Sequence, residues 1–187
     1  MVLIGREIPD FELESFYKND FHKIRLSEYR GRWLVMLFYP ADFTFVCPTE
    51  LSAAADYYDR FQAINAEIVS ISTDTAYVHK AWHDESKAIH KITFPMLADP
   101  TGQVCRAFGT YLEDEGLSLR ASLIIDPEGR LRAMDIHDNS IGRSIEEIYR
   151  KLQASQYVHE HAGEVCPASW KPGDKTLKPD IALVGKI

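Results

Sequence analysis

A continuous apolar run is the feature that most constrains what this chain can fold into. Residues 33–39 are all apolar, which is typical of a strand buried on both faces of a parallel or mixed sheet. The stretch at residues 48–64 carries apolar side chains at three- and four-residue spacing, so it predicts an amphipathic helix. A strand, a loop and a helix in this order indicate an α/β protein.

The same alternation continues along the chain. We predict further strands at residues 67–72, 94–98, 120–125 and 129–136, further helices at 75–89, up to Phe108 and from Ser144 to about 156, and a polar hairpin within 11–29. This order favours a three-layer α/β domain with a mixed central sheet. The glycines and prolines after residue 156 indicate an extended arm. We therefore expect a domain of residues 1–157 and a C-terminal arm of residues 158–187.

Composition narrows the possible partners. The 187 residues carry a net charge of −7, whereas binding to nucleic acid needs a basic face. The longest informative apolar run is far shorter than the roughly 20 residues that span a bilayer. The first ten residues also lack the apolar region of a secretory signal. We expect a cytoplasmic protein that binds neither nucleic acid nor membrane.

Cysteine usage directs attention to one position. Three cysteines are too few, and odd in number, for the disulfide framework of a secreted protein. Cys47 follows the apolar strand and precedes Pro48 at the start of the predicted helix, where unpaired N–H groups favour an anion and hence a reactive thiolate. The alternative is a buried structural cysteine. We expect that packing role for Cys105, which lies on a short predicted helix.

Two further residues are candidates for the same chemistry. The triplet Val-Cys-Pro around Cys47 recurs around Cys166, 119 residues later and in the arm. This repetition suggests that Cys166 resolves an intermediate formed at Cys47, although an incidental exposed thiol is the alternative. Arg120 begins a predicted strand, where burial of its charge would be costly without an anion. By position alone, an exposed strand-end arginine is favoured.

The segment from Pro40 to Glu50, PADFTFVCPTE, resembles the signature of the typical 2-Cys peroxiredoxins, and within them the peroxidase subunits of bacterial alkyl hydroperoxide reductases. The resemblance covers essentially the whole chain, including DEGL at 114–117, the second Val-Cys-Pro with the following WKPG, and LVGKI at 183–187. A motif of this length with a matched second cysteine is highly specific. It implies a thioredoxin-like fold.

The resemblance also implies roles for individual residues. Cys47 would be the peroxidatic cysteine, and Cys166 of a partner subunit the resolving cysteine. Pro40 would shield the reacting centre, and the Thr44 hydroxyl could donate to or accept from the peroxide oxygens. Arg120 would stabilise the thiolate and the charge that develops as the O–O bond breaks.

The implied partners follow from that chemistry. The substrate would be a hydroperoxide, and a flavoprotein disulfide reductase or a thioredoxin-like reductant would supply electrons from NAD(P)H. The chain itself would bind no cofactor and would form homodimers that assemble into decamers. Peroxide-sensitive relatives carry a Gly-Gly-Leu-Gly-like loop and a C-terminal Tyr-Phe helix. Residues 114–117 and the C-terminus lack both, so we expect resistance to over-oxidation.

Three other functions are weighed against this one. His79 and His83 stand four residues apart on a predicted helix, but they lack the spacing of a metal site, and we expect surface histidines. A thioredoxin-type oxidoreductase needs C-x-x-C, and Glu50 occupies the second position. A ring-forming holdase chaperone could coexist with the enzyme, and peroxidase turnover that depends on Cys47 would distinguish the enzyme from a pure chaperone.

Trp33 and Trp82 are expected in the core or an interface.

Overall fold

Nine strands and four α-helices make up the computed structural model, which describes residues 2–186. The strands are β1 (Glu12–Tyr17), β2 (Asp20–Arg25), β3 (Trp33–Phe38), β4 (Ala66–Ser72), β5 (Met96–Ala98), β6 (Tyr111–Leu112), β7 (Leu117–Ser118), β8 (Arg120–Ile125) and β9 (Leu131–His137). The helices are α1 (Cys47–Ala63), α2 (Ala76–Glu85), α3 (Gln103–Phe108) and α4 (Ile145–Glu160). None of these described helices combines the length and apolar character that crossing a membrane requires.

Seven strands form one mixed sheet in the order β2-β1-β5-β4-β3-β8-β9, and β6 pairs with β7 in a separate hairpin. Strands β3, β4 and β5 run parallel, whereas the β1–β2, β1–β5, β3–β8 and β8–β9 pairs are antiparallel. The apolar run at residues 33–39 forms β3 and the residue that follows it, and all seven residues are buried. A strand with neighbours on both sides and no exposed face needs such a composition.

Helices cover both faces of the sheet. Phe108 of α3 belongs to the same apolar cluster as Phe38 of β3 and Ala121 of β8. Arg120, the preceding residue on β8, points to the opposite face because successive side chains of a strand alternate. There it donates a hydrogen bond to Cys47 in the first turn of α1. The predicted three-layer α/β arrangement with a mixed sheet is therefore confirmed.

The described chain divides into two compact units, one up to Ile145 and one from Glu146 onward. Within the second unit, α4 is followed by a segment in which Val165 and Leu177 form an isolated antiparallel bridge. The Trp170 ring is buried and lies 5.0 Å from the Tyr157 ring. The predicted boundary between residues 157 and 158 stays a prediction, and residues 1 and 187 of its two segments lie outside the described residues.

Several element bounds differ from those predicted. Helix α2 ends at Glu85 instead of residue 89, because Ser86 adopts an extended backbone and the next residues form turns. Helix α4 continues to Glu160 instead of about 156. The hairpin expected within residues 11–29 is confirmed as β1 and β2. The β6–β7 hairpin was not predicted, because two-residue strands carry no periodic signal.

Candidate active site

Cys47 is the first residue of α1 and is fully buried. The loop between β3 and α1 delivers it there, and Val46 is the N-cap residue. Pro48 therefore occupies the second helical position, not the first as predicted, and its missing N–H costs the helix nothing there. The sulfur lies where the helix dipole favours a negative charge.

Arg120 is directed at this sulfur from β8. Its Nη1 donates to Cys47 Sγ at 3.2 Å and to Glu50 Oε2 at 2.8 Å. Its Nε donates to the backbone carbonyl of Asn139 at 2.9 Å. Only 3% of Arg120 is exposed, so the exposed strand-end arginine favoured by position alone is wrong. Burial is possible because the guanidinium finds an anion and two further acceptors.

Glu50 joins this arginine to a second one, Arg143, which was not predicted. The Arg143 backbone N–H and Nε donate to Glu50 Oε1 at 2.7 and 2.8 Å, and its Nη2 donates to Oε2 at 3.0 Å. Its Nη1 also donates to the Ala121 carbonyl. In the sequence Arg143 is an ordinary charged residue ahead of a helix, and no local signal marks it. In the sequence, Glu50 stood out only as the end of the family motif and as the residue at the second position of C-x-x-C.

The buried cluster of Arg120, Arg143, Glu50 and Cys47 would carry no net charge if Cys47 were a thiolate. Burial raises the pKa of the Glu50 carboxyl, but the hydrogen bonds and charge of Arg143, with the charge of Arg120, outweigh it and hold that pKa below its usual range. Two guanidinium groups therefore face one carboxylate at neutral pH. A thiolate at Cys47 would be the second anion that neutralises the buried site.

Pro40 and Thr44 lie in the loop that leads to Cys47. Pro40 is buried and lies two residues after the end of β3. Thr44 is partly buried, and its hydroxyl donates to the Ala41 carbonyl at 2.9 Å. Between them, Phe43 has φ 55°, a left-handed conformation that is uncommon outside glycine. The structure thus brings Cys47 and Arg120 into direct contact, while Pro40 and Thr44 are joined to them through the loop.

The other two cysteines differ in their surroundings. Cys166 is partly buried in the second unit, with its sulfur 3.9 Å from the Ala154 carbonyl oxygen. Burial, and then the charge of Glu164, raises the pKa of its thiol. Cys105 is fully buried in the apolar cluster, in agreement with the expected packing role. Burial, and then the charge of Asp99, raises the pKa of the Cys105 thiol to about 12.

The expectation of surface histidines is wrong for His79 and His83, because both side chains are buried. His79 lies 2.7 Å from Asp42 through Nδ1 and 3.2 Å from the Leu97 carbonyl oxygen through Nε2. His83 lies 3.3 Å from the Ile92 carbonyl oxygen through its Nε2. The helical spacing of the pair was read correctly, but the face of α2 that it marks is turned inward. Trp33 and Trp82 are buried as expected.

The comparisons with known proteins agree with this geometry. The profile of the AhpC/TSA family matches residues 4–134. The chain belongs to the AhpC/TSA family. A second profile, the C-terminal domain of 1-Cys peroxiredoxin, matches residues 154–182. Membership makes the chain a peroxiredoxin, which is a thiol-dependent peroxidase with a thioredoxin-like fold, as the sequence predicted.

Individual AhpC/TSA relatives match over the full length. The proteins named alkyl hydroperoxide reductase C from Salmonella typhimurium and Escherichia coli K12 are each 47% identical over 187 residues, all of both chains. The Bacillus subtilis protein of the same name is 44% identical over the same length.

Solved structures of the family superpose closely. A crystal structure of Enterococcus faecalis AhpC is 47% identical, with a TM-score of 0.86 over 89% of this chain and 100% of that one. The reduced 2-Cys peroxiredoxin of Plasmodium vivax is 36% identical, with a TM-score of 0.90 over 95% and 93% of the two chains.

Proposed function

We propose that this chain reduces hydrogen peroxide and organic hydroperoxides with Cys47 as the nucleophile, and that Cys166 of a partner subunit closes the cycle. The contact that carries the proposal is the hydrogen bond from Arg120 Nη1 to Cys47 Sγ at 3.2 Å. A guanidinium in a buried site stabilises a thiolate, and the thiolate is the form of cysteine that attacks an O–O bond.

In the first half of the cycle, the Cys47 thiolate attacks the terminal oxygen of ROOH. An S–O bond forms, the O–O bond breaks, and the leaving alkoxide takes a proton to depart as alcohol, or as water when R is hydrogen. Cys47 is oxidised to a sulfenic acid and the peroxide is reduced. Arg120 can stabilise the negative charge on the leaving oxygen, and Thr44 can orient the peroxide with its hydroxyl. Pro40 closes the side of the pocket.

In the second half, the Cys166 thiol condenses with the sulfenic acid, so that an S–S bond forms and water leaves. A disulfide requires the two Cα atoms to lie within about 7 Å. Because Cys47 is fully buried in the first turn of α1, that turn must unwind before Cys166 can reach it. A dithiol reductant then restores both thiols by exchange. We propose a flavoprotein disulfide reductase or a thioredoxin-like protein, fed by NAD(P)H.

We further propose that the chain forms homodimers that assemble into decamers. Strand β9 is seven residues long and lies at an edge of the sheet, and an open edge can pair with a second copy. Exposed aromatic side chains on α2 and beside it supply a second surface: Tyr77 belongs to α2, Phe21 to β2 and Phe43 to the loop before α1. Phe21, Phe43 and Tyr77 are 42%, 56% and 69% exposed, and the Phe21 and Tyr77 rings lie 4.9 Å apart. Exposed apolar patches of this kind mark association surfaces.

In this proposal residues 1–157 form the peroxidase domain and residues 158–187 the arm that carries the resolving cysteine. We assign the enzyme to the cytoplasm, where free thiols are kept reduced. All three cysteines of the chain are free, which fits that compartment.

The decisive experiment replaces the nucleophile. Cys47→Ser should abolish peroxide consumption in a coupled assay with a dithiol reductant, whereas the matched variant Cys105→Ser should retain it. Stopped-flow traces with hydrogen peroxide and with an organic hydroperoxide would measure both. Turnover by the Cys47→Ser protein would refute the proposal.

The resolving role has its own test. Cys166→Ser should still consume one equivalent of peroxide per subunit and then stop in the presence of a reductant that acts only on disulfides. On non-reducing gels the wild type should give a disulfide-linked dimer after peroxide, and the variant should stay monomeric. A disulfide-linked dimer in the variant would exclude Cys166 as the partner of Cys47.

The reductant can be identified by substitution. With NAD(P)H held constant, a flavoprotein disulfide reductase or a thioredoxin system is added to the oxidised enzyme, and NAD(P)H consumption is followed. We expect one of the two to sustain turnover. Failure of both would remove the proposed class of electron donor while leaving the Cys47 chemistry intact.

A further inference from the structure

We propose that Asp42 and His79 form a buried hydrogen-bonded pair that positions the pocket loop, residues 40–46, for the reaction of Cys47 with peroxide. The inference rests on the proposed function, since the pocket loop runs directly into Cys47. Neither residue contacts the sulfur in the structure, so both act through the loop and are positioning residues.

Asp42 is held by three separate parts of the fold and is only 6% exposed. Its Oδ2 lies 2.7 Å from His79 Nδ1 on α2, and its Oδ1 accepts a hydrogen bond from the Tyr39 hydroxyl at 2.7 Å. Its backbone N–H donates to Asp74 Oδ2 at 2.8 Å. One loop residue is therefore tied to the end of β3, to α2 and to the segment between β4 and α2.

Each ring nitrogen of His79 faces an oxygen that can accept a hydrogen bond. His79 Nε2 lies 3.2 Å from the Leu97 carbonyl oxygen, which can only accept. His79 Nδ1 faces the Asp42 carboxylate, which also accepts when ionised. Burial, and then the Asp42 charge, raises the pKa of the Tyr39 hydroxyl well above its usual range, so Tyr39 stays protonated and donates. A proton on His79 Nδ1 can therefore be donated to Asp42 Oδ2 while Tyr39 donates to Oδ1, so that buried donors hold both carboxylate oxygens.

The pocket loop needs such an anchor because its backbone is strained. Phe43 adopts φ 55° between Asp42 and Thr44, and a non-glycine residue keeps a left-handed conformation only where its surroundings over-determine it. The Phe43 side chain is 56% exposed and so adds little anchoring of its own. Asp42 supplies the fixed point on one side, and the Thr44 hydroxyl bond to Ala41 closes the turn on the other.

Loss of the anchor should affect one step of the cycle. If Asp42 is released, Phe43 can relax, and Thr44 and the residues leading to Cys47 shift with it. Reaction with peroxide depends on the placement of Thr44, Cys47 and Arg120, so its rate should fall. Disulfide formation requires that the start of α1 unwind in any case, so its rate should hardly change.

The test compares Asp42→Asn, His79→Gln and the double variant with His22→Gln, which changes an exposed histidine on β2. Stopped-flow fluorescence would measure the second-order rate constant for Cys47 oxidation and, separately, the rate of disulfide formation. We expect each single variant to lose about tenfold in the oxidation step, in keeping with small displacements of a reacting group. The double variant should lose no more than either single one, and His22→Gln should match the wild type.

A spectroscopic measurement on the wild type decides the case if the variants do not fold. ¹⁵N-edited NMR should show a downfield Nδ1–H proton of His79 that is protected from exchange with water, as a buried hydrogen bond to Asp42 requires. A His79 Nδ1 without a proton, or folded Asp42→Asn protein with wild-type oxidation kinetics, would overturn the inference. Failure of the proposed function would look different, because Cys47→Ser would then keep its turnover whatever Asp42 and His79 do.

Discussion

Glu50 connects the two buried arginines, because its two oxygens together accept four hydrogen bonds from them. Arg120 reaches onward to Cys47, whereas Arg143 contacts only Glu50 and the Ala121 carbonyl in this cluster. The carboxylate is thus the common partner that orients both cations. Without it, two guanidinium groups would remain in a site that is closed to water.

The first prediction concerns Glu50→Gln. Removing one member of a buried ion pair costs about 3–5 kcal/mol, and we expect a loss of unfolding free energy of that order with slower oxidation of Cys47. Urea unfolding and stopped-flow kinetics would measure the two effects. Asp59→Asn, an exposed acid on the same helix, is the matched control. A Glu50→Gln protein as stable and as fast as this control would contradict the role assigned to Glu50.

The same variant has a defined pH dependence. The Glu50 pKa is lower in the folded protein than the ordinary glutamate value of about 4.3. Its contribution to stability is therefore complete above that value and disappears as the pH falls through the lower folded-state pKa. The difference in unfolding free energy between wild type and Glu50→Gln should stay constant near neutral pH and shrink in acid. A difference that grows on acidification would contradict the direction of the shift.

A second prediction concerns the cysteine that the cycle does not use. With its pKa raised to about 12, the Cys105 thiol is ionised to only about one part in ten thousand at pH 8. It is also fully buried. Native protein treated with iodoacetamide should therefore leave Cys105 unmodified, while denatured protein should react at all three cysteines. Peptide mass spectrometry would show this, and native labelling of Cys105 as fast as Cys166 would disagree with its burial.

Site residues could be predicted from the sequence where their signal lay in neighbouring residues, but not where it lay in contacts between residues far apart along the chain. Cys47 and its helix start were readable from neighbouring residues, and the repeated Val-Cys-Pro triplet pointed to Cys166. The roles of Pro40, Thr44 and Arg120 came from the family resemblance. Arg143 was missed because it meets Glu50 across 93 residues of sequence. The buried pair of Asp42 and His79 was missed for the same reason, since only the folded sheet brings their segments together.

Secondary structure elements were more predictable than side-chain contacts. Apolar composition or a turn signal in the sequence predicted four of the strands, β3, β4, β8 and β9. The order in which the strands pair could not be predicted from the sequence, because β1 pairs with β5 although about eighty residues separate them. Helix ends also shifted, as at Ser86, where the backbone becomes extended although the apolar spacing continues.

The third prediction concerns the β6–β7 hairpin. Residues 113–116 form the hairpin turn. Residues 114–117 read DEGL and lack the Gly-Gly-Leu-Gly-like loop that the family resemblance associates with sensitivity to peroxide. We expect Cys47 to form its disulfide faster than it proceeds to sulfinic acid. Mass spectrometry after repeated turnover in millimolar-scale peroxide would measure the sulfinic form, and its rapid accumulation would contradict the prediction.

At the scale of the whole molecule, the fourth prediction concerns the exposed aromatic patch of Phe21, Phe43 and Tyr77. Placing a charge there, as in Tyr77→Asp, should prevent dimers from joining into the proposed decamers, because a carboxylate would be desolvated in an apolar interface. Sedimentation velocity should then show dimers in place of decamers. Ile181→Asp, at another strongly exposed apolar position, serves as the control. Unchanged decamers of Tyr77→Asp would exclude this patch as the assembly surface.

In the proposed cycle, the enclosed position of Cys47 would couple its oxidation to its exposure. Conversion of a thiolate to a sulfenic acid erases one negative charge from an interior that already contains two cations and one carboxylate. The surplus positive charge is poorly tolerated away from water, and hydration of Arg120 relieves it if the start of α1 loosens. In the proposed cycle, oxidation would therefore act as an electrostatic trigger that weakens the start of α1 when Cys47 must become exposed to meet Cys166.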